Sequence, residues 1–213
     1  MERSEIFDRN VPGMTECLTR AVVGIAGCGG LGSNVAMLLV RAGVGRLVLA
    51  DFDQVEASNL NRQHYFQDDI GKDKTAALAE HLRAINPDVE LQLAQEKVTL
   101  DNLAKIFGDV DIMVEAFDRA EEKQWLIQEW NRMYPGKFLV IGNGISGYGD
   151  SESMQVIRAG KRVFCGDMQT DMSIGLAAPR VMLAASMQAN VVIELLMNLA
   201  PDTLSGETGD ESE

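Results

Sequence analysis

A cluster of glycines lies between an apolar, β-branched run and an apolar helical segment, and it limits the possible folds more than any other feature of this sequence. The run covers residues 21–27, and residues 34–43 have the length and composition of a helix that closes at Gly43. The clustered glycines are Gly27, Gly29, Gly30 and Gly32. A strand that enters such a turn and then a helix opens a doubly wound α/β domain, because the open backbone lets a phosphate or ribose approach the helix N-terminus. The pattern therefore predicts a nucleotide site.

The later apolar segments continue the alternation of strands and helices. Strands are predicted near residues 46–51, 89–97, 111–117 and 138–144, and helices near 72–85, 101–107, 120–133 and 180–199. Residues 153–164 alternate about Gly160, which predicts an antiparallel hairpin. We expect an α/β, Rossmann-like doubly wound domain over residues 1–200, with a mainly parallel sheet and this C-terminal hairpin. An acidic, disordered tail is expected at 201–213.

Composition and charge limit the class of protein, its partners and its cellular compartment. The 213 residues, 46% of them hydrophobic, suit one globular domain. A net charge of −13 argues against nucleic acid and anionic membranes as partners. Glycines interrupt the longest uncharged run, 21–40, so no membrane span is expected there. The three cysteines, Cys17, Cys28 and Cys165, form no CxxC pair. This favours a reducing compartment, so we expect a cytoplasmic protein without structural zinc.

Two carboxylates and two cations give the predicted site its chemistry. Asp51 ends the second strand, nineteen residues after Gly32, where it would accept hydrogen bonds from a ribose. Asp118 follows the predicted strand at 111–117 and is a candidate Mg²⁺ ligand, with a helix N-cap as the alternative. Arg62 and Lys74 would neutralise the pyrophosphate that leaves when an α-phosphate is attacked. The sequence therefore favours ATP-dependent adenylation.

Three segments in this order closely resemble one superfamily. They are GCGGLGS at 27–33, DFDxVxxSNLNRQ at 51–63 and GxxK at 71–74. They are similar to the ubiquitin-activating enzymes and their bacterial relatives MoeB and ThiF, which adenylate the C-terminal glycine carboxylate of a ubiquitin-fold protein. The resemblance implies ATP and Mg²⁺ as cofactors, with Asp118 holding the metal. It implies nucleotide-binding roles, added to those of the glycines, for Asp51, Asp53, Asn59, Arg62, Gln63 and Lys74.

The resemblance also implies a homodimer in which Arg9 reaches the γ-phosphate of the partner's nucleotide. The two zinc-binding CxxC pairs of many members are absent, so the chain resembles the shorter, zinc-free ThiF branch. The implied partner is a ThiS-like sulfur carrier and the implied pathway is thiamine biosynthesis. Where other ThiF proteins carry a catalytic cysteine, this sequence has residues 170–172. Cys165 is either a substitute nucleophile or a buried thiol.

Three alternative functions stay open at this point. A ThiF-like tRNA-modifying dehydratase would use the same site, but the charge of −13 argues against an RNA partner. An NAD-dependent oxidoreductase would use the glycines and Asp51, but it would leave Arg62 and Lys74 without a task. A non-catalytic scaffold that binds a ubiquitin-fold partner would not need Arg62, Lys74 or Asp118.

Overall fold

The computed structural model describes residues 3–199, and its regular elements alternate as the sequence predicts. The strands are β1 (Val22–Ala26), β2 (Arg46–Ala50), β3 (Glu90–Ala94), β4 (Ile112–Glu115), β5 (Phe138–Gly142), β6 (Gln155–Ala159) and β7 (Arg162–Gly166). The helices are α1 (Arg3–Phe7), α2 (Met14–Arg20), α3 (Gly30–Ala42), α4 (Lys74–Ile85), α5 (Leu100–Phe107), α6 (Ala120–Met133) and α7 (Ala178–Leu199). The predicted acidic tail, 201–213, lies outside the described residues.

The seven strands form one sheet in the order β3-β2-β1-β4-β5-β7-β6. All neighbouring strands are parallel except β6 and β7, which form an antiparallel hairpin about Gly160. This confirms the predicted Rossmann-like fold. Because β1 and β4 are neighbours although distant in sequence, the connections diverge there, and the cleft at such a switch point is where doubly wound folds bind ligands.

Helices cover both faces of the sheet, which explains why the central strands are apolar on both sides. On one face α3, α4 and α7 pack over a core that includes Ile25, Leu47 and Val114. On the other face α5 and α6 bury Phe107 and Trp130. Gly24 in β1 allows this second packing, since a Cβ there would lie 2.8 Å from the Phe107 ring.

The structure differs from the prediction mainly at element ends. Helix α3 begins four residues earlier than predicted, at Gly30, because the turn glycines themselves enter its first turn. Strand β3 ends at Ala94 rather than near residue 97. Helices α1 and α2 were not predicted, since each is short and α1 contributes only Phe7 as a buried apolar side chain.

Among residues 3–199, α7 is the one helix whose length and composition would suit a membrane span. Half of its most apolar stretch is buried inside the protein, where it packs against α3 and the sheet. A core helix that covers a sheet has this same apolar composition, so packing explains it.

Candidate active site

A cleft of about 640 Å³ opens at the carboxyl ends of the central strands. Its walls are the glycine turn after β1, the segment after β2, the turn between β4 and α6, and the loops that follow β5 and β7. Since the strands are parallel, side chains that lie far apart in sequence meet at this edge. Most of the predicted site residues lie here.

The glycine turn forms one wall of the cleft. Gly27, Gly29 and Gly30 line it, and Gly27 adopts a φ of 95°, which favours glycine. The first N–H groups of α3 have no partner within the helix and can receive an anion. Gly32 does not line the cleft. A Cβ at Gly32 would lie 1.8 Å from the Gly27 carbonyl oxygen, so its absence lets α3 pack close to β1.

Two aspartates after β2 organise the next wall. The Asp51 carboxylate accepts hydrogen bonds from the N–H groups of Cys28 (2.6 Å) and Asp53 (2.9 Å), which tie it to the glycine turn. Burial raises the pKa of Asp51, and these two hydrogen bonds oppose the shift. Asp53 forms an ion pair of 2.8 Å with Lys74, whose side chain is only 8% exposed. All three residues line the cleft, with the Lys74 ammonium held at a fixed place.

The segment 58–63 brings two of its three predicted residues to the cleft. Arg62 lines it, and its guanidinium donates to the Ser58 carbonyl (3.0 Å) and to Asn61 (2.8 Å). Gln63 also lines it and is buried, with its Oε1 atom lacking a partner among the described residues. A buried acceptor without a donor indicates a polar ligand.

Asn59, by contrast, does not line the cleft. Its side-chain oxygen accepts a hydrogen bond from the Glu56 N–H (3.1 Å), and its carbonyl oxygen accepts from the N–H groups of Arg62 and Gln63. Asn59 therefore shapes the turn that presents Arg62 and Gln63. Its side-chain oxygen is used within the turn, whereas its contact with phosphate stays a prediction.

Asp118 lies on the cleft, with its carboxylate exposed. The N-terminal flanking residue of α6 is Arg119, and no side chain there makes a capping hydrogen bond. The capping alternative is therefore wrong. No cluster of three His, Cys, Asp or Glu side chains suited to a metal occurs within residues 3–199. A magnesium ion at Asp118 would thus take its remaining oxygen ligands from nucleotide and water, as this metal commonly does.

The far end of the cleft lies between the loops after β5 and β7. Ser146 and Thr170 line it, and the Ser146 N–H donates to the Thr170 hydroxyl (3.1 Å). A buried ion pair between Asp167 and Arg180 ties the second loop to α7. Burial would raise the pKa of Asp167, but N–H groups of the loop and Arg180 outweigh it and lower that pKa to about 2. These contacts hold the loop in place.

At the far end of the cleft, close packing allows only glycine at one position of the loop after β5. Gly144 has a φ of 72°, and a Cβ there would lie 1.9 Å from the Asp167 carboxylate. Glycine at this position therefore lets the loop after β5 lie against the loop after β7. Gly149 also has a positive φ, but no atom lies near its missing Cβ.

Arg9 lies at the opposite edge of the sheet. It is exposed in the turn after α1, and the neighbouring Asn10 donates to the carbonyl oxygen of Ala42 (2.9 Å) at the C-terminal end of α3. That end is a full helix length from the glycine turn. Arg9 therefore cannot reach the cleft of its own chain in this structure, and its predicted role requires a second subunit.

None of the three cysteines lines the cleft. Cys28 and Cys165 are fully buried, and burial raises the pKa of both thiols, that of Cys165 to about 12. Cys17 is partly buried on α2, where its thiol faces the carbonyl oxygen of Leu196. Since nucleophilic cysteines are exposed thiolates, this geometry supports the interpretation of Cys165 as a buried thiol.

One basic residue of the cleft, Lys123, is not among the residues predicted from the sequence. Lys123 lines the cleft in the first turn of α6 and forms an ion pair with Glu115, the last residue of β4. Glu115 has no exposed surface. The signal was present as a glutamate in an apolar strand followed by a lysine eight residues later. Only the turn between strand and helix brings the two together.

The sequence profile described as the ThiF family matches residues 4–208. A sulfur carrier protein ThiS adenylyltransferase of Bacillus subtilis is 41% identical over 124 residues, which cover 57% of this chain and 37% of that protein. A sulfur carrier protein adenylyltransferase of Thermus thermophilus is 38% identical over 141 residues, 66% of this chain and 51% of the relative. The chain thus spans about half or less of these relatives.

A solved structure shares the fold. The crystal structure of the Escherichia coli tRNA N6-threonylcarbamoyladenosine dehydratase TcdA in complex with ATP superposes with a TM-score of 0.79. The two sequences are 23% identical, and the match covers 92% of each chain. At this identity the likeness speaks for the fold alone.

Proposed function

The chain belongs to the ThiF family, and from that membership we propose that it catalyses ATP-dependent adenylation of the C-terminal carboxylate of a ubiquitin-fold sulfur carrier. The observation that carries this proposal is that the glycine turn, two cations (Arg62 and Lys74) and the Asp118 carboxylate all line one cleft. The Asp118 carboxylate is not used to cap α6. Two of the relatives described above are named as adenylyltransferases of sulfur carrier proteins. The Bacillus protein is named for ThiS, which favours thiamine biosynthesis as the setting.

The residues of the cleft suit a nucleotide. The glycine turn offers unpaired N–H groups to phosphate oxygens, and the buried Gln63 oxygen can accept from a ribose hydroxyl or the base. The Asp51 oxygens each accept one backbone hydrogen bond and keep lone pairs for the ribose. The TcdA structure that shares this fold was solved with ATP, which supports a nucleotide as the ligand here.

The proposed reaction is an in-line displacement at the α-phosphorus. An oxygen of the carrier carboxylate bonds to phosphorus, the bond from phosphorus to the bridging oxygen breaks, and pyrophosphate leaves with the electron pair. No proton moves, because the carboxylate is already ionised at neutral pH. Arg62 and Lys74 lie where they can neutralise the pyrophosphate. A magnesium ion held by Asp118, when bound, supplies further positive charge to the phosphate oxygens.

Lys74 and Arg62 are held ready for this role. Asp53 is half-exposed, so the Lys74 ammonium can keep its ion pair and still donate to a phosphate. One nitrogen of the Arg62 guanidinium donates hydrogen bonds to Ser58 and Asn61, so its other N–H groups can donate to the ligand. Fixed donors lose little entropy on binding, which favours electrostatic stabilisation of the transition state.

Sulfur would then come from outside the chain. The acyl-adenylate would form in a cleft that no cysteine lines, so an external sulfur donor would have to attack it directly. This separates the proposed reaction from one that passes through an enzyme-bound thioester.

The proposal is tested by ATP–pyrophosphate exchange with Bacillus subtilis ThiS as the acceptor. We expect exchange that requires ThiS and Mg²⁺, and a loss of about 100-fold or more in Arg62→Gln. Arg83→Gln, at an exposed site near the end of α4, is the matched control and should retain full activity. Exchange that depends on tRNA instead of ThiS would favour the dehydratase alternative. Tight NAD binding without ATP binding would refute adenylation.

A further inference from the structure

The basic residue on the floor of the cleft, Lys123, is held by two buried acceptors. Its ammonium pairs with Glu115 and donates to the Gly142 carbonyl oxygen at 2.8 Å. The lysine side chain keeps 21% of its surface exposed, on the cleft, whereas Glu115 lies entirely behind it. An ammonium group has three N–H donors, so one remains for a ligand. Lys123, and not Glu115, is therefore the member of the pair that lines the cleft.

Glu115 is held as firmly as its partner. Its other carboxylate oxygen accepts the Phe117 N–H at 2.8 Å, and its carbonyl oxygen accepts from the side chain of Gln188 on α7. Burial raises the pKa of Glu115, although the adjacent Lys123 and the Phe117 N–H oppose that shift. A buried, paired carboxylate of this kind fixes the position of the lysine.

The position of the Lys123 ammonium relative to the strands indicates which ligand it can meet. Glu115 ends β4 and Gly142 ends β5, so the ammonium lies at the border between these strands. The groups suited to nucleotide phosphates and ribose lie on one side, at the ends of β1 and β2. The loops after β5 and β7, with Ser146 and Thr170, form the other end of the cleft. The border is where an acceptor that enters from the loop end would meet the α-phosphate.

We propose that Lys123 is a substrate-contacting residue whose free N–H binds an oxygen of the acceptor's carboxylate, and that Glu115 is the positioning residue that aims it. The inference rests on the proposed adenylation. A carboxylate that approaches a triphosphate meets strong repulsion, and a fixed ammonium at the meeting point reduces it. Because Glu115 neutralises the pair from behind, the site gains a directed donor without an uncompensated buried charge.

Binding of two nucleoside analogues tests this contact without any carrier. One is 5′-O-[N-(acetylglycyl)sulfamoyl]adenosine, which mimics the acyl-adenylate, and the other is adenosine 5′-sulfamate, which lacks the acyl group. The variant is the double substitution Lys123→Met with Glu115→Gln, which removes both charges at similar volume and so avoids a stranded buried carboxylate. We expect calorimetry to give a 10- to 100-fold weaker affinity for the acyl analogue and a change of less than about threefold for adenosine 5′-sulfamate.

Two matched variants separate contact from folding. Glu115→Gln alone keeps Lys123 but leaves one side-chain oxygen for two donors, the ammonium and the Phe117 N–H. The lysine is then aimed less firmly, and acyl-analogue affinity should fall by a smaller factor than in the double variant. Lys137→Met removes a lysine that also donates to two carbonyl oxygens, those of Gly108 and Val110, but at the opposite sheet edge. It should leave both affinities unchanged. Thermal unfolding checks that each variant is folded. If the double variant does not fold, Lys123→Gln takes its place in the same measurements.

Equal losses for both analogues, or an unchanged acyl-analogue affinity in the folded double variant, would overturn the inference. A loss in Glu115→Gln as large as in the double variant would also overturn it, since the effect would then come from the turn. The proposed function fails differently, by the absence of ThiS-dependent exchange in the wild-type protein. The two outcomes are therefore distinguishable.

Discussion

Asp118 shows how much at this site depends on single side chains. Its carboxylate reaches the cleft because β4 ends three residues earlier and α6 begins two residues later, which leaves it in an open turn. It caps no helix, so its removal should disturb catalysis without disturbing the fold. The same separation of roles applies to the cysteines, which belong to the packing and lie away from the cleft.

Asp118→Asn should reduce ATP–pyrophosphate exchange about 100-fold or more, or roughly 2.7 kcal/mol of transition-state stabilisation. The free energy of unfolding should stay within about 0.5 kcal/mol of wild type, because the carboxylate makes no capping contact. Asp101→Asn, in the first turn of α5, is the matched control and should change neither quantity. An active Asp118→Asn enzyme would remove this residue from the proposed metal site.

Cys165→Ala should leave exchange unchanged, since the attacking group is a carboxylate and the thiol lies outside the cleft. A small loss of stability, about 1 kcal/mol, is expected from the cavity left in the core. Sulfur loading of ThiS by an added donor should persist, as in the control Cys17→Ala. If exchange persists while loading stops, Cys165 forms the covalent intermediate after all. Loss of exchange in a folded variant would contradict the proposed first step.

At the scale of elements, the site depends on close packing between segments. The glycine turn can present α3 to a nucleotide only because the helix lies against β1. The loop after β7 stays over the cleft because Asp167 and Arg180 join it to α7. Each contact can be weakened separately.

Gly32→Ala tests the approach of α3 to β1. The new methyl group would lie 1.8 Å from the Gly27 carbonyl oxygen, so the helix must move away from the turn. We expect at least a tenfold loss of ATP affinity and a loss of about 1–3 kcal/mol in unfolding free energy. Gly136→Ala is the matched control, because no atom lies within 4 Å of its missing Cβ. Equal behaviour of the two variants in calorimetry and thermal unfolding would contradict this account.

Asp167 should make stability depend on pH in acid. Its pKa of about 2 in the folded protein lies below the ordinary value of 3.8. Its contribution, on the order of 2 kcal/mol, is therefore complete above about pH 4 and is lost as the pH falls toward 2. Asp167→Asn should lower the unfolding free energy at pH 7 by about 2–4 kcal/mol, because Arg180 loses its buried partner.

Urea unfolding at a series of pH values measures this effect. The difference between wild type and Asp167→Asn should shrink steadily below about pH 4, whereas Asp68→Asn, at an exposed position, should follow wild type throughout. A constant difference down to pH 2 would show that the Asp167 carboxylate is not held ionised by this loop.

At the scale of the whole molecule, the position of Arg9 bears on assembly. It lies at the amino edge of the sheet, and the cleft lies at the carboxyl edge. We propose a homodimer in which Arg9 of one subunit completes the site of the other. Sedimentation should give a dimer, and Arg9→Ala should be inactive. A mixture of equal amounts of Arg9→Ala and Asp118→Asn should regain about a quarter of wild-type activity, since half of the dimers would be mixed with one complete site each.

No recovery after confirmed subunit exchange would exclude action of Arg9 across the interface. Arg20→Ala, which removes the exposed arginine at the end of α2, serves as the control for a general loss of positive charge near the N-terminus. It should be active on its own and should give no gain on mixing.

Local sequence patterns predicted the alternation of strands and helices, the glycine turn, and four residues that line the cleft: Asp51, Arg62, Lys74 and Asp118. These were accessible because buried strands, glycine turns and strand-end acids are local patterns, and parallel strands necessarily bring their carboxyl ends together. Gln63 also lines the cleft, but it was expected only from the resemblance to the superfamily. Only the tertiary structure shows that Asn59 and Gly32 do not line the cleft, that Arg9 lies at the far edge, and that Lys123 lines the cleft with Glu115 buried behind it. Such features depend on which way a side chain points after packing, and this is set by contacts between distant segments that no local pattern specifies.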